Sequence, residues 1–159
     1  MSKRWLYRLW RRLPTPLQWA FLWSANTRYL VGVLAVIADE EGRVLLLRHD
    51  YRREGQWGLP GGQMQGLEGL EKALARELAE ETGLQVGVGE LVWAVCDQSL
   101  PRVDLYYRCR LTGGELSLSD EVAEAGFFRL EALPLDMYPE QVELIRRVLR
   151  GEDAWGAAR

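Results

Sequence analysis

The apolar and polar positions of this 159-residue chain divide most of it into short, clearly bounded elements. "YLVGVLAVIA" (29–38) is a nearly unbroken apolar run rich in β-branched residues and reads as a buried strand. "DEEG" (39–42) reads as a turn and "RVLLLRH" (43–49) as a second strand, so the pair is expected to form a hairpin. "REGQWGLPGG" (53–62) reads as a glycine-rich loop. A helix is predicted over 67–82, with Leu67, Leu70, Leu74 and Leu78 as its inward stripe and Gly83 as a left-handed cap. "LQVGVGELVWAVCDQ" (84–98) and "RVDLYYRCRL" (102–111) are expected strands, and Gly113 and Gly114 turn the chain. "AGFFRL" (125–130) is a short strand. "YPEQVELIRRVLR" (138–150) is a terminal helix with Val142, Ile145, Val148 and Leu149 facing inward. Strands and helices mix without strict alternation, so the expected class is α/β (α+β), a mixed β-sheet with helices packed on its faces.

The amino end breaks this pattern. In "KRWLYRLWRRL", Trp5, Leu6, Leu9, Trp10 and Leu13 share one helical face, and Arg4, Arg8, Arg11 and Arg12 share the other. Pro14 and Pro16 stop that helix, and "LQWAFLW" (17–23) is a second apolar piece. No run reaches the length of a membrane span. A secretory signal is disfavoured because Pro14, Pro16 and Gln18 interrupt the apolar part. The expected organisation is a basic amphipathic arm over 1–28, one domain over 29–150 and a loose tail over 151–159. The arm is expected to pack on its own domain or across a homodimer; an anionic membrane surface is the rival partner.

Charge sharpens the division. The net charge is −3, but residues 1–30 hold six basic side chains and no acidic one, leaving 14 basic and 23 acidic side chains for the rest. An acidic body lacks the basic footprint of a stable nucleic-acid partner and suits a cation site. Cys96 and Cys109 have neither zinc spacing nor a disulfide framework, which fits a reducing cytoplasm. The lone His49 cannot anchor a metal cluster or a histidine-based triad by itself. It reads as a strand-end residue near the mouth of a site.

The chemistry concentrates in "GGQMQGLEGLEKALARELAEETGL" (61–84). Glu77, Glu80 and Glu81 stand at i, i+3 and i+4, so their carboxylates share a helical face, and Glu81 overlaps the leucine stripe. Solvating glutamates belong on the side away from a core, and like charges at this spacing repel. A divalent cation resolves both problems, since Mg²⁺ takes hard oxygen ligands and completes its shell with water and phosphate oxygens. Arg76 can orient these carboxylates through its planar fork, and Glu68 can reach the start of the helix. Gly61 and Gly62 allow the backbone close to a ligand, with carbonyls available to the metal.

This segment resembles the signature of the Nudix hydrolase family. Gly62, Glu68, Arg76, Glu77, Leu78, Glu80, Glu81, Gly83 and Leu84 occupy its specified positions without departure, and the likeness extends roughly from Tyr29 to Arg150. The resemblance implies an α/β/α sandwich with the signature as a catalytic loop–helix–loop. It implies hydrolysis of a phosphoanhydride in a nucleoside diphosphate linked to another group. Glu77, Glu80, Glu81 and the Gly61 carbonyl would hold Mg²⁺ or Mn²⁺. Arg76 and Glu68 would orient them, and Gly62 and Gly83 would shape the motif. Relatives of this kind place a further acidic residue before the strand that here reads "GFFRL"; of Asp120, Glu121 and Glu124, Glu121 is preferred as metal ligand or general base.

Substrate identity is less legible. Pro101 faintly resembles the downstream proline of ADP-ribose hydrolases, so ADP-ribose or a nucleotide sugar is slightly favoured over nucleoside triphosphates. Arg48, Arg52 and Arg53 lie just before the glycine loop and read either as phosphate-binding residues or as a solvated basic loop. Trp57, Trp93, Tyr106 and Tyr107 can stack on a base, although most are expected in the core. A nucleotide-sensing module on the same fold, with catalysis lost, is the alternative; the full glutamate set argues against it.

Overall fold

In the computed structural model, residues 4–49 and 56–152 are described. The apolar run is β1 (Leu30–Ile37), and its two faces feed two separate cores. Val33, Ala35 and Ile37 join one cluster, while Leu34 and Val36 join the other. The same alternation splits β2 (Val44–His49): Leu45 and Leu47 go with the first set, Val44 and Leu46 with the second. Burial on both faces explains why neither strand shows a polar alternation.

Two short strands follow, β3 (Trp57–Gly58) and β4 (Gly61–Gln63). They precede the helix α3 (Leu70–Thr82) and the long strands β5 (Leu84–Cys96) and β6 (Arg102–Gly114). Then come β7 (Val122–Phe128), a single 3₁₀ turn at Leu130–Ala132, and the helix α4 (Pro139–Leu149). Before the domain lie α1 (Arg4–Trp10) and α2 (Thr15–Ala25). One sheet runs β4-β1-β6-β5 and the other β3-β2-β7. β1 and β6 are parallel, and the remaining pairings are antiparallel, so the larger sheet is mixed as expected. Ala73, Leu74 and Leu78 of α3 cover the first core, and Leu144, Ile145 and Val148 of α4 cover the second. The result is a sandwich with a helix on either side of the sheets.

Several sequence expectations change. β1 and β2 are joined by a tight turn, with Asp39 accepting from the Glu41 and Arg43 amides, yet they do not form a hairpin. After one bridge, Ala38 to Val44, they enter different sheets, because β1 is already flanked by β4 and β6. The glycine-rich stretch is not wholly loop, since β3 and β4 lie within it, one in each sheet. α3 begins three residues late: Gly66 takes a left-handed conformation, Gly69 is extended as N-cap, and Leu67 is fully exposed outside the stripe. The arm is two helices, and no residue of α2 is buried. From residue 153 onward the expected tail lies outside the described residues, as do Arg52 and Arg53.

These differences give a direct comparison. Leu78→Ala, at a fully buried position, is expected to cost about 2–5 kcal/mol in urea unfolding. Leu67→Ala is expected to stay within about 0.5 kcal/mol of the parent. Equal losses would restore Leu67 to the core.

Candidate active site

The glutamate helix is anchored by its leucines on the first core, which fixes where its polar residues emerge. Arg76 sits at the centre. Its Nε and one terminal nitrogen bond both oxygens of Glu68 at 3.2 and 2.7 Å. The other terminal nitrogen donates to Glu77 and Glu80, each at 2.9 Å. A further bond of 3.2 Å reaches the Gln63 carbonyl on β4. Glu68 in turn accepts the Gln65 amide at 2.8 Å. One planar fork therefore ties the loop, the edge strand and the helix together.

Glu81 follows a different course. It is buried, at 6% exposure, with Oε1 2.7 Å from His49 Nε2 and Oε2 accepting the Gly61 amide at 3.3 Å. An ionised carboxylate can only accept, so in that state the imidazole donates. A Cβ at Gly62 would fall on the Glu77 carboxylate and displace it. Gly61 has φ 136°, and a Cβ there would strike the Val33 backbone. Gly83 caps the helix at φ 69°. The segment after β6 is fastened to this end, with the Ser117 amide on the Thr82 carbonyl at 2.8 Å and that of Ser119 on Glu81 at 3.0 Å.

Burial pushes the Glu77 carboxyl above its ordinary range; Arg76 opposes this, while the charges of Glu81 and Glu80 add to it. Glu68 moves down, chiefly through its hydrogen bonds from Arg76. The guanidinium itself is held more firmly protonated, first by Glu68. Among the described residues, no ready-made trio of carboxylate, thiolate or imidazole groups forms a cage; Arg76 and His49 hold the glutamates instead. The donor set still fits a hard divalent cation. It offers oxygen ligands, like-charged neighbours and a glycine backbone that leaves Glu77 against β4.

Glu121 is exposed, on the turn just before Val122, which pairs with His49 in the β2–β7 register. The backbone register therefore sets the residue after Glu121 opposite His49. Arg48 is committed to an ion pair with Glu124 at 2.6 Å. Trp57 sets its ring edge-on to Phe128, centroids 4.8 Å apart, and packs on the second core. Arg52 lies outside the described residues.

Two features were not anticipated. His49 is fully buried and reaches Glu81; a histidine ending an otherwise apolar strand was the available signal. A cavity of about 610 Å³ opens between the sheet and α4, lined by Leu34, Asp104, Tyr106, Tyr138 and Gln141 among others. Gln141 accepts the Leu59 amide at 3.0 Å and bonds Tyr106, whose hydroxyl is pushed up to about 12, mainly by burial. Leu34 is the register partner of Gly61, so the cavity and the carboxylates adjoin the same short strand. Nothing in the local sequence around Gln141 signals a partner 82 positions away.

A glutamate-rich loop–helix–loop set against a glycine strand, inside a sandwich of this topology, defines the class. A profile of the NUDIX domain matches residues 28–148, and the chain belongs to the Nudix hydrolase family. An ADP-ribose pyrophosphatase of Methanocaldococcus jannaschii is 36% identical over 114 residues, covering 67% of this chain and 67% of that protein. A MutT-like protein of Streptomyces ambofaciens is 38% identical over 91 residues, 57% of this chain and 58% of the relative, so the match spans less than two thirds of its length. The crystal structure of an ADP-ribose pyrophosphatase from Streptococcus suis superposes with a TM-score of 0.66 at 28% identity, covering 77% of this chain and 93% of that one.

Arg76→Met removes the fork and leaves Glu68 and Glu77 without their cationic partner. A loss of about 1–3 kcal/mol is expected in urea unfolding. An unchanged midpoint would mean that the cluster is held by other contacts.

Proposed function

We propose that this protein is a divalent-cation-dependent hydrolase that opens the phosphoanhydride of a nucleoside diphosphate linked to a further group, with ADP-ribose or a nucleotide sugar as the favoured substrate class. The observation that carries this reading is the gathering of Glu77, Glu80 and Glu81 beside the Gly61–Gly62 strand, with Arg76 bonded to two of them and Glu81 buried behind. Bound Mg²⁺ or Mn²⁺ would neutralise phosphate oxygens and make a coordinated water more acidic. Glu77, Glu80 and Glu81 would hold the metal, with the backbone at Gly61 beside them.

The remaining work falls to the chain itself. Arg76 and Glu68 keep the glutamates in register. His49 fixes the orientation of Glu81 from behind. Gly62 leaves room for the Glu77 carboxylate against β4, because it has no side chain of its own. Glu121 takes the proton of the attacking water as the new P–O bond forms and the bridging oxygen leaves with the other phosphate. The cavity beside α4 takes the nucleoside or the distal group, with Tyr106 and Tyr138 as apolar walls and Asp104 as an acceptor. Support for a linked nucleoside diphosphate comes from the two ADP-ribose pyrophosphatases that the chain resembles. Among the described residues no helix is long and apolar enough to cross a membrane.

The test is product release from a panel of ADP-ribose, nucleotide sugars, dinucleoside polyphosphates and nucleoside triphosphates, with Mg²⁺ and with Mn²⁺. Turnover of a linked nucleoside diphosphate is expected, with losses of about 100-fold or more in Glu81→Gln and Glu121→Gln. Gly62→Ala, which displaces Glu77, is expected to lose about 100-fold with its melting temperature little changed. Preference for triphosphates would move the substrate class. Tight nucleotide binding without turnover would favour a sensor. Near-normal turnover in Glu121→Gln would remove that residue from the mechanism.

A further inference from the structure

The N-terminal arm has no role in the chemistry above, yet it is built with care. α1 and α2 form a hairpin: the Gln18 amide donates to the Trp10 and Leu13 carbonyls at 2.8 and 3.0 Å. Trp10 and Phe21 meet edge to face, centroids 5.6 Å apart. These contacts hold the second helix against the end of the first. What the hairpin then presents is unusual for a protein surface. Leu17, Trp19, Phe21, Leu22 and Trp23 are all exposed, and α2 contains no charged residue. Four of the chain's seven tryptophans fall within residues 5–23. An apolar surface of this kind marks a docking site.

Charge identifies the occupant. Arg8, Arg11 and Arg12 are exposed at the α1 side of the hairpin, and Arg28 lies over the Trp23 ring at 4.0 Å, beyond the end of α2. The first acidic residue of the chain is Asp39. Pairing the arms of two copies would bring like-charged arginines together. The exposed leucines of the body, such as Leu67, Leu100 and Leu135, sit on separate loops and offer no continuous bed for the tryptophans. Arginines flanking a tryptophan-rich helix match an anionic bilayer surface, where indole rings settle at headgroup level and basic side chains meet lipid phosphate. α2 has 11 residues and is therefore about 16 Å long, against about 30 Å for the hydrocarbon core, so it lies in the interface and does not span it.

We propose that the α1–α2 hairpin docks the protein on membrane surfaces rich in anionic phospholipid, with Trp19, Leu22 and Trp23 entering the interface and the arm's arginines engaging the headgroups. The experiment is co-sedimentation of the full-length protein with phosphatidylcholine vesicles, with and without phosphatidylglycerol, at low and high salt. The variants are Trp19→Glu/Trp23→Glu and Arg8→Glu/Arg11→Glu/Arg12→Glu. The parent should pellet only with phosphatidylglycerol vesicles and be released by salt, and each variant should bind about tenfold more weakly or worse. Circular dichroism and turnover of a soluble nucleotide should match the parent, because all five positions are exposed and outside the site. No pelleting of the parent at low salt would overturn the proposal, as would pelleting unaffected by either variant. A parent that ignores vesicles but scatters light as a dimer, which Trp19→Glu/Trp23→Glu converts to a monomer, would assign the hairpin to a second copy instead.

Discussion

A single guanidinium organises the polar half of this molecule. Glu77 and Glu80 would repel one another on a bare helix, and Glu68 belongs to a loop with two glycines and little reason to adopt one shape. Arg76 engages all three, along with the Gln63 carbonyl. An ammonium could supply the charge but not the fixed angles, because only a planar fork presents several donors in rigid relation. The loop between β4 and α3 is therefore shaped by a side chain from the helix it leads into, and the glutamates are spaced before any ligand arrives.

The backbone on which this cluster rests is held from both layers of the sandwich. From the α3 side, Glu81 accepts the Gly61 amide. From the α4 side, Gln141 accepts the Leu59 amide. Between them, Pro60 presents its carbonyl to Ala35 of β1 at 2.9 Å. Three consecutive residues are thus fixed by two helices and a central strand. A glycine strand cannot draw rigidity from side chains of its own, so fastening it from opposite faces is a physical answer to the freedom that glycine brings.

How much of this could be read beforehand follows from the range of the forces involved. β1 and β2 were visible because burial on both faces leaves a continuous apolar run, and Glu77, Glu80 and Glu81 because helical spacing is local. Arg76 and Glu68 are eight positions apart, and the family resemblance joined them. The hairpin expectation for β1 and β2 failed because strand partnership is decided by neighbours far along the chain; β6, the parallel partner of β1, begins at Arg102. Leu67 fitted the helical period, but Gly66 and Gly69 lie on either side of it and release the chain from that period. His49 and Gln141 carry pairings of 32 and 82 positions, which no local pattern encodes. Arg48 was singled out by its place before the glycine segment and Trp57 by its ring; their contacts in the fold, Glu124 and Phe128, are again distant in sequence.

Charge is segregated along this chain: a basic segment with no acidic residue precedes a body with 23 acidic and 14 basic side chains. If the arm were only a tether, its arginines and the acidic body would attract, and the tryptophans would find cover on the domain. The α2 side chains remain uncovered instead. An acidic body is itself repelled by an anionic surface within about a Debye length, roughly 10 Å in moderate salt. Attachment by way of the hairpin would then be the favourable contact, with the body and its anionic substrate kept in the aqueous phase. The charge division thereby sets a basic, tryptophan-rich arm apart from an acidic body, and among the described residues it is the arm that suits a phospholipid surface.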